Sequence, residues 1–187
     1  MPSISANRVG SAIGAGSSSF TTARTSSADT VTDNPSGSDP NAIQHFFSSG
    51  RGGGTHKIRR VFVHFDVSSI STTPQDAVIK INVATNTSAD IIVVRSNAMG
   101  ADGSTALAAS EFFSSISYSV PFSSEVTSLV NGNNSIALNA AALSQLGSND
   151  NFTVALIEHD SDFQNTANTS GTVAAGINFG TAIALSY

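Results

Sequence analysis

The segment from Ile58 to Val67 constrains the fold more than any other part of this chain. Its residues alternate, and one side of an extended backbone would carry only apolar side chains, Val61, Val63, Phe65 and Val67. The other side would carry a mixture, Arg60, Phe62, His64 and Asp66. Because side chains of a strand point alternately to opposite faces, this pattern predicts a central β-strand with one apolar and one partly charged face.

Composition also favours a β-fold. Of 187 residues only 11% are charged, 40% are hydrophobic and 32 are serine, so hydroxyls and amides must form much of the surface. The length fits one domain. Turn formers separate about eight short apolar or β-branched runs. We therefore predict an all-β protein, a single jelly-roll-like antiparallel β-sandwich with one or two short helices and an extended N-terminal arm.

Several local predictions accompany this fold. The runs 77–84 and 91–95 are separated by a short polar connection, which predicts a hairpin. Apolar spacing and capping residues indicate helical turns within 105–113, 122–132 and 140–146, although 122–132 is also compatible with a bent strand. Two closing strands, 172–179 and 181–187, are expected to lie next to each other around Gly180.

The first 27 residues differ from the rest of the chain. They are rich in Gly, Ser, Ala and Thr, and their apolar residues are too far apart to bury a common face. We expect an extended arm over 1–27 and a β-sandwich domain over 28–187. Such an arm becomes ordered either on a partner or by adding strands to its own sheet. Its candidate shell or intersubunit contacts are Ile4, Arg8, Val9, Ile13, Phe20 and Arg24.

The charge distribution argues against nucleic acid as a partner. The net charge is −5 with eight Lys and Arg, whereas phosphate binding needs a generally basic surface. Half of these cations nevertheless lie within ten residues, as Arg51, Lys57, Arg59 and Arg60. This charge-pairing patch is expected to face the chain's own carboxylates near Asp160, an acidic neighbouring subunit, or a phosphate or sulfated sugar.

Three carboxylates alternate near the end of a predicted strand, Glu158, Asp160 and Asp162. On an extended backbone they would project to one side, where they are candidate ligands for calcium. The spacing lacks the glycine and the terminal glutamate of an EF-hand loop, and a solvated acidic edge explains it better. We predict no metal and no cofactor.

No motif predicts an enzyme. The chain has no Gly-x-Ser-x-Gly motif and no cysteine, and the 50–54 glycine run lacks the Lys-Ser/Thr pair of a P-loop. It has no tryptophan and two tyrosines, and its phenylalanines fit core positions better than a sugar-stacking platform. No apolar run approaches the roughly 20 residues that span a bilayer, and the first residues do not resemble a secretory signal. We therefore expect a protein without membrane contact that is made in the cytoplasm.

One segment carries a family resemblance. Residues 60–70 run Arg-Val-Phe-Val-His-Phe-Asp-Val-Ser-Ser-Ile and precede the alternating run 77–81. This order resembles the disaggregatase-related (DNRLRE-like) β-sandwich domains, in which an arginine and an apolar strand lead to Phe-Asp-Leu-Ser-Ser-Ile. The likeness continues loosely through 123–132 and 136–138 to about residue 179, and it covers the chain from about residue 28.

This resemblance implies a function as well as a fold. Versions of the domain without a signal peptide look like structural proteins of tailed bacteriophage virions. For this chain it implies a capsid cement or decoration protein that binds the assembled shell through its N-terminal arm and stabilises it, as part of a virion that is assembled in the host cytoplasm. Its expected partners are the major capsid protein or other virion subunits, and copies of itself in a dimer or trimer. The alternatives are a tail fibre, or a receptor- or carbohydrate-binding module.

Overall fold

The computed structural model describes residues 1–50, 54–179 and 183–187. Within these ranges the chain forms twelve strands: β1 Ser3–Ser5, β2 Arg8–Gly14, β3 Ala28–Asp33, β4 Ser38–Ser48, β5 Thr55–Asp66, β6 Val78–Thr87, β7 Ile91–Ser96, β8 Ile116–Pro121, β9 Gly132–Ala137, β10 Asn151–Glu158, β11 Thr172–Asn178 and β12 Ala184–Ser186. The α-helices described are α1 Phe20–Thr25, α2 Glu111–Ser114 and α3 Ala140–Leu146, and a π-helical turn spans His159–Phe163.

Strand β5 is central, as its alternation predicts. On one side it pairs with β2, and on the other it pairs first with β4 and then with β10. The ladders between named strands are antiparallel and join the strands into one continuous sheet that folds into two layers. The first layer contains β2, β5, β10 and β7, the second contains β12, β6 and β11, and β4 passes from one layer to the other. The all-β sandwich prediction is confirmed.

The main core lies between the two layers. The first layer contributes one face of β5, with Val61, Val63 and Phe65 fully buried. The second layer contributes Ile79 and Ile81 from β6, which are also buried. The period-two pattern that predicts β5 therefore specifies which of its residues enter this core.

A second core covers the opposite face of the first layer. Phe62 of β5 is buried there, and so is Ala155 of β10. The segment 97–116 and helix α2 lie over this face and contribute Met99, Leu107 and Phe112. The central part of the first layer is thus buried on both faces, and the mixed face of β5 is an interior surface from Arg60 to His64, whereas Asp66 at the end of the strand is exposed.

Residues 1–27 belong to this body, and the expected extended arm is replaced by strands and a helix. Strand β1 pairs with β12, and β2 pairs with both β3 and β5. Helix α1 begins after Ser19, whose side chain accepts a hydrogen bond from the Thr22 amide, and Ala23 is fully buried. Of the two possibilities for this segment, the structure shows strands added to its own sheet. The backbone hydrogen bonds between β2 and β5 compensate for the few apolar residues of 1–27, because such bonds form with any type of side chain.

The predicted hairpin between 77–84 and 91–95 is wrong. Strand β6 pairs with β9, β11 and β12, whereas β7 pairs with β8 and β10, so the short connection 88–90 crosses between layers. Both strands bury residues in the main core from opposite sides, which requires them to face each other. The closing strands also differ from expectation, since β12 pairs with β6 and β1. Gly180 lies outside the described residues.

The helix predictions have mixed outcomes. Helix α3 confirms the one predicted at 140–146, and Asn139 caps it by accepting hydrogen bonds from the Ala141 and Ala142 amides. Within 105–113 only the start of the short helix α2 appears, and 122–132 is extended with isolated bridges at Ser123 and Val126. None of the helices in the described part of the chain is long and apolar enough to cross a membrane.

Candidate functional site

The six predicted contact residues of the N-terminal segment make contacts inside the molecule. Ile4 and Val9 pack against the main core, and Phe20 packs against the second core. Arg8 donates a hydrogen bond from Nη1 to the Gly103 carbonyl over 2.8 Å and forms an ion pair with Asp33. Ile13 lies opposite Arg59 in the ladder between β2 and β5 and is half-buried.

Arg24, the last of the six, belongs to a buried ionic network in the second core. Its Nε donates to the backbone carbonyl of Asp162 over 2.7 Å and lies 3.3 Å from Asp162 Oδ1. Its guanidinium carbon is 4.2 Å from the ring centroid of Tyr118. A cation over an aromatic face and a charged hydrogen bond both stabilise this helix against the body.

Arg60 and Asp162 form the centre of that network. Arg60 donates from Nε and Nη2 to the two carboxylate oxygens of Asp162, and neither side chain is exposed. Its remaining donors reach the Phe112 and Arg24 carbonyls. Burial acts to lower the pKa of Arg60, but the charge and hydrogen bonds of Asp162 outweigh it, and the pKa is raised. Burial and the same carboxylate raise the pKa of Tyr118, whose hydroxyl donates to Asp162.

The predicted cationic patch is therefore divided. Arg59 and Arg60 are adjacent and project to opposite faces of β5, so Arg60 enters the second core while Arg59 pairs with Asp39. Lys57 is half-buried on β5. For Arg60, the expected pairing with the acidic segment near Asp160 is what the structure shows. Arg51 lies outside the described residues.

The three candidate calcium ligands do not project to one side. The backbone leaves the extended conformation at His159 and enters the π-helical turn. Glu158 caps this turn by accepting hydrogen bonds from the Asp160 and Ser161 amides, and Asp162 is occupied by Arg60. Asp160 alone is exposed among the three. Burial raises the pKa of Glu158, while its hydrogen bonds with Ser161 act in the opposite direction.

A different group could hold a metal ion. His159 Nδ1 lies 3.1 Å from Glu125 Oε1 and 3.0 Å from Asp160 Oδ1. One ligand atom from each of these residues falls within 4.8 Å of the others. Imidazole and carboxylate ligands suit zinc or manganese. The same contacts are also explained without a metal, because a ring nitrogen of histidine can form hydrogen bonds with carboxylates.

A buried histidine pair lies beside helix α1. His45 Nε2 is 3.1 Å from His56 Nδ1, and the rings of Phe20 and Phe47 pack against the pair. Burial, followed by the charge of His56, lowers the pKa of His45 to about 4, and burial lowers the pKa of His56. Within the part of the chain that is described, His45 Nδ1 has no hydrogen-bond partner. No local sequence pattern indicates this pair, because the two histidines lie on neighbouring strands and meet only through the register between β4 and β5.

A polar cleft of about 440 Å³ opens where β2 and β4 diverge on either side of β5. We call it the Arg59 cleft. Its lining residues are Ser11, Ile13, Thr32, Pro35, Ser36, Ser38, Asp39, Pro40, Arg59 and Phe179. It joins four segments that are far apart in the sequence. Of its lining residues only Arg59 and Ile13 are predicted contact residues, and no local pattern indicates the cleft itself.

Comparison with known proteins adds no assignment to this geometry. No family model matches the chain, and no curated protein shows significant similarity to it.

Proposed function

We propose that this chain is a structural protein of a virus particle, a decoration protein that binds the assembled capsid of a tailed bacteriophage. The resemblance at residues 60–70 suggests this class. The roles of its residues in the fold support it: Arg60 forms the buried ion pair, Phe65 and Val67 enter the main core, and Asp66 accepts hydrogen bonds from the Ser68 amide and hydroxyl. The motif thus serves architecture, as expected of a structural module.

The resemblance at residues 60–70 carries the proposal, and the position of residues 1–27 changes the expected mode of binding. Residues 1–27 are built into the sandwich, so the contact with the capsid is made by a preformed face of the folded domain. A preformed surface loses less conformational entropy on binding than an arm that must become ordered. Such a protein stabilises the particle by mass action, because it binds the assembled form in preference to free subunits.

The face that we assign to this contact is the outer side of the second layer. The outer side of the first layer is covered by 97–116 and α1, whereas side chains of β6 and β9 on the second layer remain accessible. These are short or polar, and Asn82 donates a hydrogen bond across the ladder to Asn133. Lys80 and Ser135 lie opposite each other and are exposed.

The experiment measures particle association directly. Purified particles are analysed for copies of this protein per major capsid subunit, and hundreds of copies per particle are expected. A few copies would favour the tail-fibre alternative, and none would overturn the proposal.

A matched pair of variants tests the assigned face. Ser135→Arg places a bulky charge on it, whereas Thr30→Arg places the same charge on exposed β3. We expect Ser135→Arg to lower particle binding at least tenfold with an unchanged melting temperature, and Thr30→Arg to bind normally. Equal binding of the two variants would contradict this assignment.

A further inference from the structure

The Arg59 cleft contains a buried hydroxyl that lacks a partner. Ser11 is only 4% exposed and lines the cleft, and its Oγ makes no hydrogen bond with any residue that the structure describes. Buried polar atoms in proteins are nearly always paired, so each exception needs an explanation. This oxygen is closed to solvent in the structure, and a small outward shift of the cleft walls would let a ligand oxygen at the base of the cleft reach it as a partner.

The ion pair in the cleft has unused hydrogen-bonding capacity. Arg59 uses Nη1 for Asp39 Oδ1 at 2.7 Å and for the Asn41 carbonyl at 2.9 Å. Its Nε and Nη2 donors, and Oδ2 of Asp39, have no partners among the described residues. The guanidinium can donate hydrogen bonds to one group of a ligand, and the carboxylate oxygen beside it can accept a hydrogen bond from a neighbouring group of the same ligand.

The charge and shape of the cleft restrict the chemistry of that ligand. Arg59 and Asp39 neutralise each other, which disfavours phosphates and other strong anions. The hydroxyls of Thr32, Ser36 and Ser38 make the walls polar, which disfavours an apolar ligand. The volume of about 440 Å³ lies within the range of small-molecule sites.

Apolar surface is present in the same cleft. Phe179 and two prolines, Pro35 and Pro40, line it together with the polar groups. A sugar ring combines hydroxyls that donate and accept with C–H faces that pack on aromatic rings. A neutral sugar therefore matches both kinds of lining.

We propose that the Arg59 cleft binds one neutral hexose unit of a glycan. Arg59 donates to two adjacent sugar hydroxyls, Asp39 accepts from one of them, Ser11 pairs with the most deeply placed oxygen, and Phe179 packs on the C–H face. This site is independent of the capsid-contact face on β6 and β9.

The test is an NMR titration of the full-length, ¹⁵N-labelled protein with the methyl glycosides of glucose, galactose, mannose and N-acetylglucosamine. We expect saturable shifts of the Ser11, Thr32 and Arg59 amides with at least one sugar, with Kd on the order of 1 mM. Absence of saturable shifts with all four sugars overturns the proposal. The titration is repeated with the methyl glycoside of sialic acid. Binding of this acidic sugar alone also overturns the proposal, because the ligand would then not be a neutral sugar.

Variants assign the binding to the named groups. Asp39→Asn is expected to weaken binding at least fivefold. Ser11→Ala is expected to weaken it at least twofold without lowering the melting temperature, since it removes an unpaired buried hydroxyl. Thr32→Val should weaken binding, whereas Thr30→Val, on the same strand but outside the cleft, should not. If Asp39→Asn and Ser11→Ala bind as the unmodified protein does, the sugar lies elsewhere and the assignment fails. Particle association is a separate readout, so either proposal can fail alone.

Discussion

Arg60 donates two hydrogen bonds to Asp162, from Nε over 2.6 Å and from Nη2 over 2.7 Å, and both side chains are fully buried. The two residues are 102 positions apart. Through Arg24 the same carboxylate also holds helix α1, so one aspartate connects the start of the chain, the central strand and the π-helical turn.

Asp162→Asn should therefore destabilise the protein strongly. Removing one partner of a buried ion pair leaves the other charge uncompensated, and we expect a loss of about 3 kcal/mol or more in the free energy of unfolding. Urea denaturation measures this. Asp160→Asn is the control, because that side chain is 70% exposed, and its change should stay within about 0.5 kcal/mol. Similar stabilities of the two variants would contradict the role of the network.

Gly14→Ala tests whether the N-terminal segment is packed in solution. A Cβ at Gly14 would lie 2.8 Å from the Ala23 carbonyl oxygen and 2.9 Å from the Phe112 ring, so we expect a loss of about 1–3 kcal/mol. A Cβ at Gly16 would approach only the Thr55 methyl, at 3.2 Å, and Gly16→Ala should cost at most about 0.5 kcal/mol. In a free arm Gly14→Ala would be neutral or slightly stabilising, and that result would refute the packing described here.

Deletion of residues 1–27 should abolish cooperative folding. It removes β2 from the β5 edge, and it removes Arg24 from Asp162. We expect a truncated chain without a sharp thermal transition and with little near-ultraviolet circular dichroism. Deletion of Met1 alone, which is 70% exposed, is the control and should leave the transition intact. A truncated chain that still melts cooperatively would restore the interpretation of 1–27 as a separate arm.

The buried histidine pair predicts a loss of stability in acid. The pKa of His45 is lowered to about 4 in the fold against 6.5 as its ordinary value, so the unfolded chain binds a proton that the folded chain does not. Stability is complete above about pH 6.5 and decreases as the pH falls towards about 4. We expect a loss on the order of 2 kcal/mol from His45 across this range.

Urea midpoints at pH 7 and pH 4.5 measure this loss, and His45→Phe provides the comparison. Phenylalanine keeps a ring among Phe20, Phe47 and His56 but cannot titrate. The difference between the two midpoints should be smaller in this variant than in the unmodified protein. An equal difference would mean that groups other than His45 control the acid response.

Local patterns predicted the central strand and one of the helices. The alternation in β5 and the capped run that becomes α3 depend on neighbouring residues alone and appear in the structure as expected. The crossing between β6 and β7 could not be predicted in this way, because a three-residue connection fits a hairpin as well as a change of layer. The change of layer is favoured because β6 and β7 bury side chains on opposite sides of the same core.

The candidate sites were less predictable than the fold. The pairing of Arg60 with the acidic segment near Asp160 is one of the predicted alternatives, because opposite charges in the sequence are enough to suggest it. The Arg59 cleft depends on the point where β2 and β4 leave β5, and no local pattern specifies that point. The packing of segment 97–116 over the second core could not be predicted either, because this segment contributes only a few scattered apolar residues.

The distance in sequence between Arg60 and Asp162 has a consequence during synthesis. Arg24 and Arg60 leave the ribosome well before Asp162 has been translated, and β10, which covers one edge of β5, also comes late in the chain. The nascent protein therefore carries an open strand edge and two unpaired guanidinium groups until most of its length has emerged, which is the interval in which it is most exposed to misassociation.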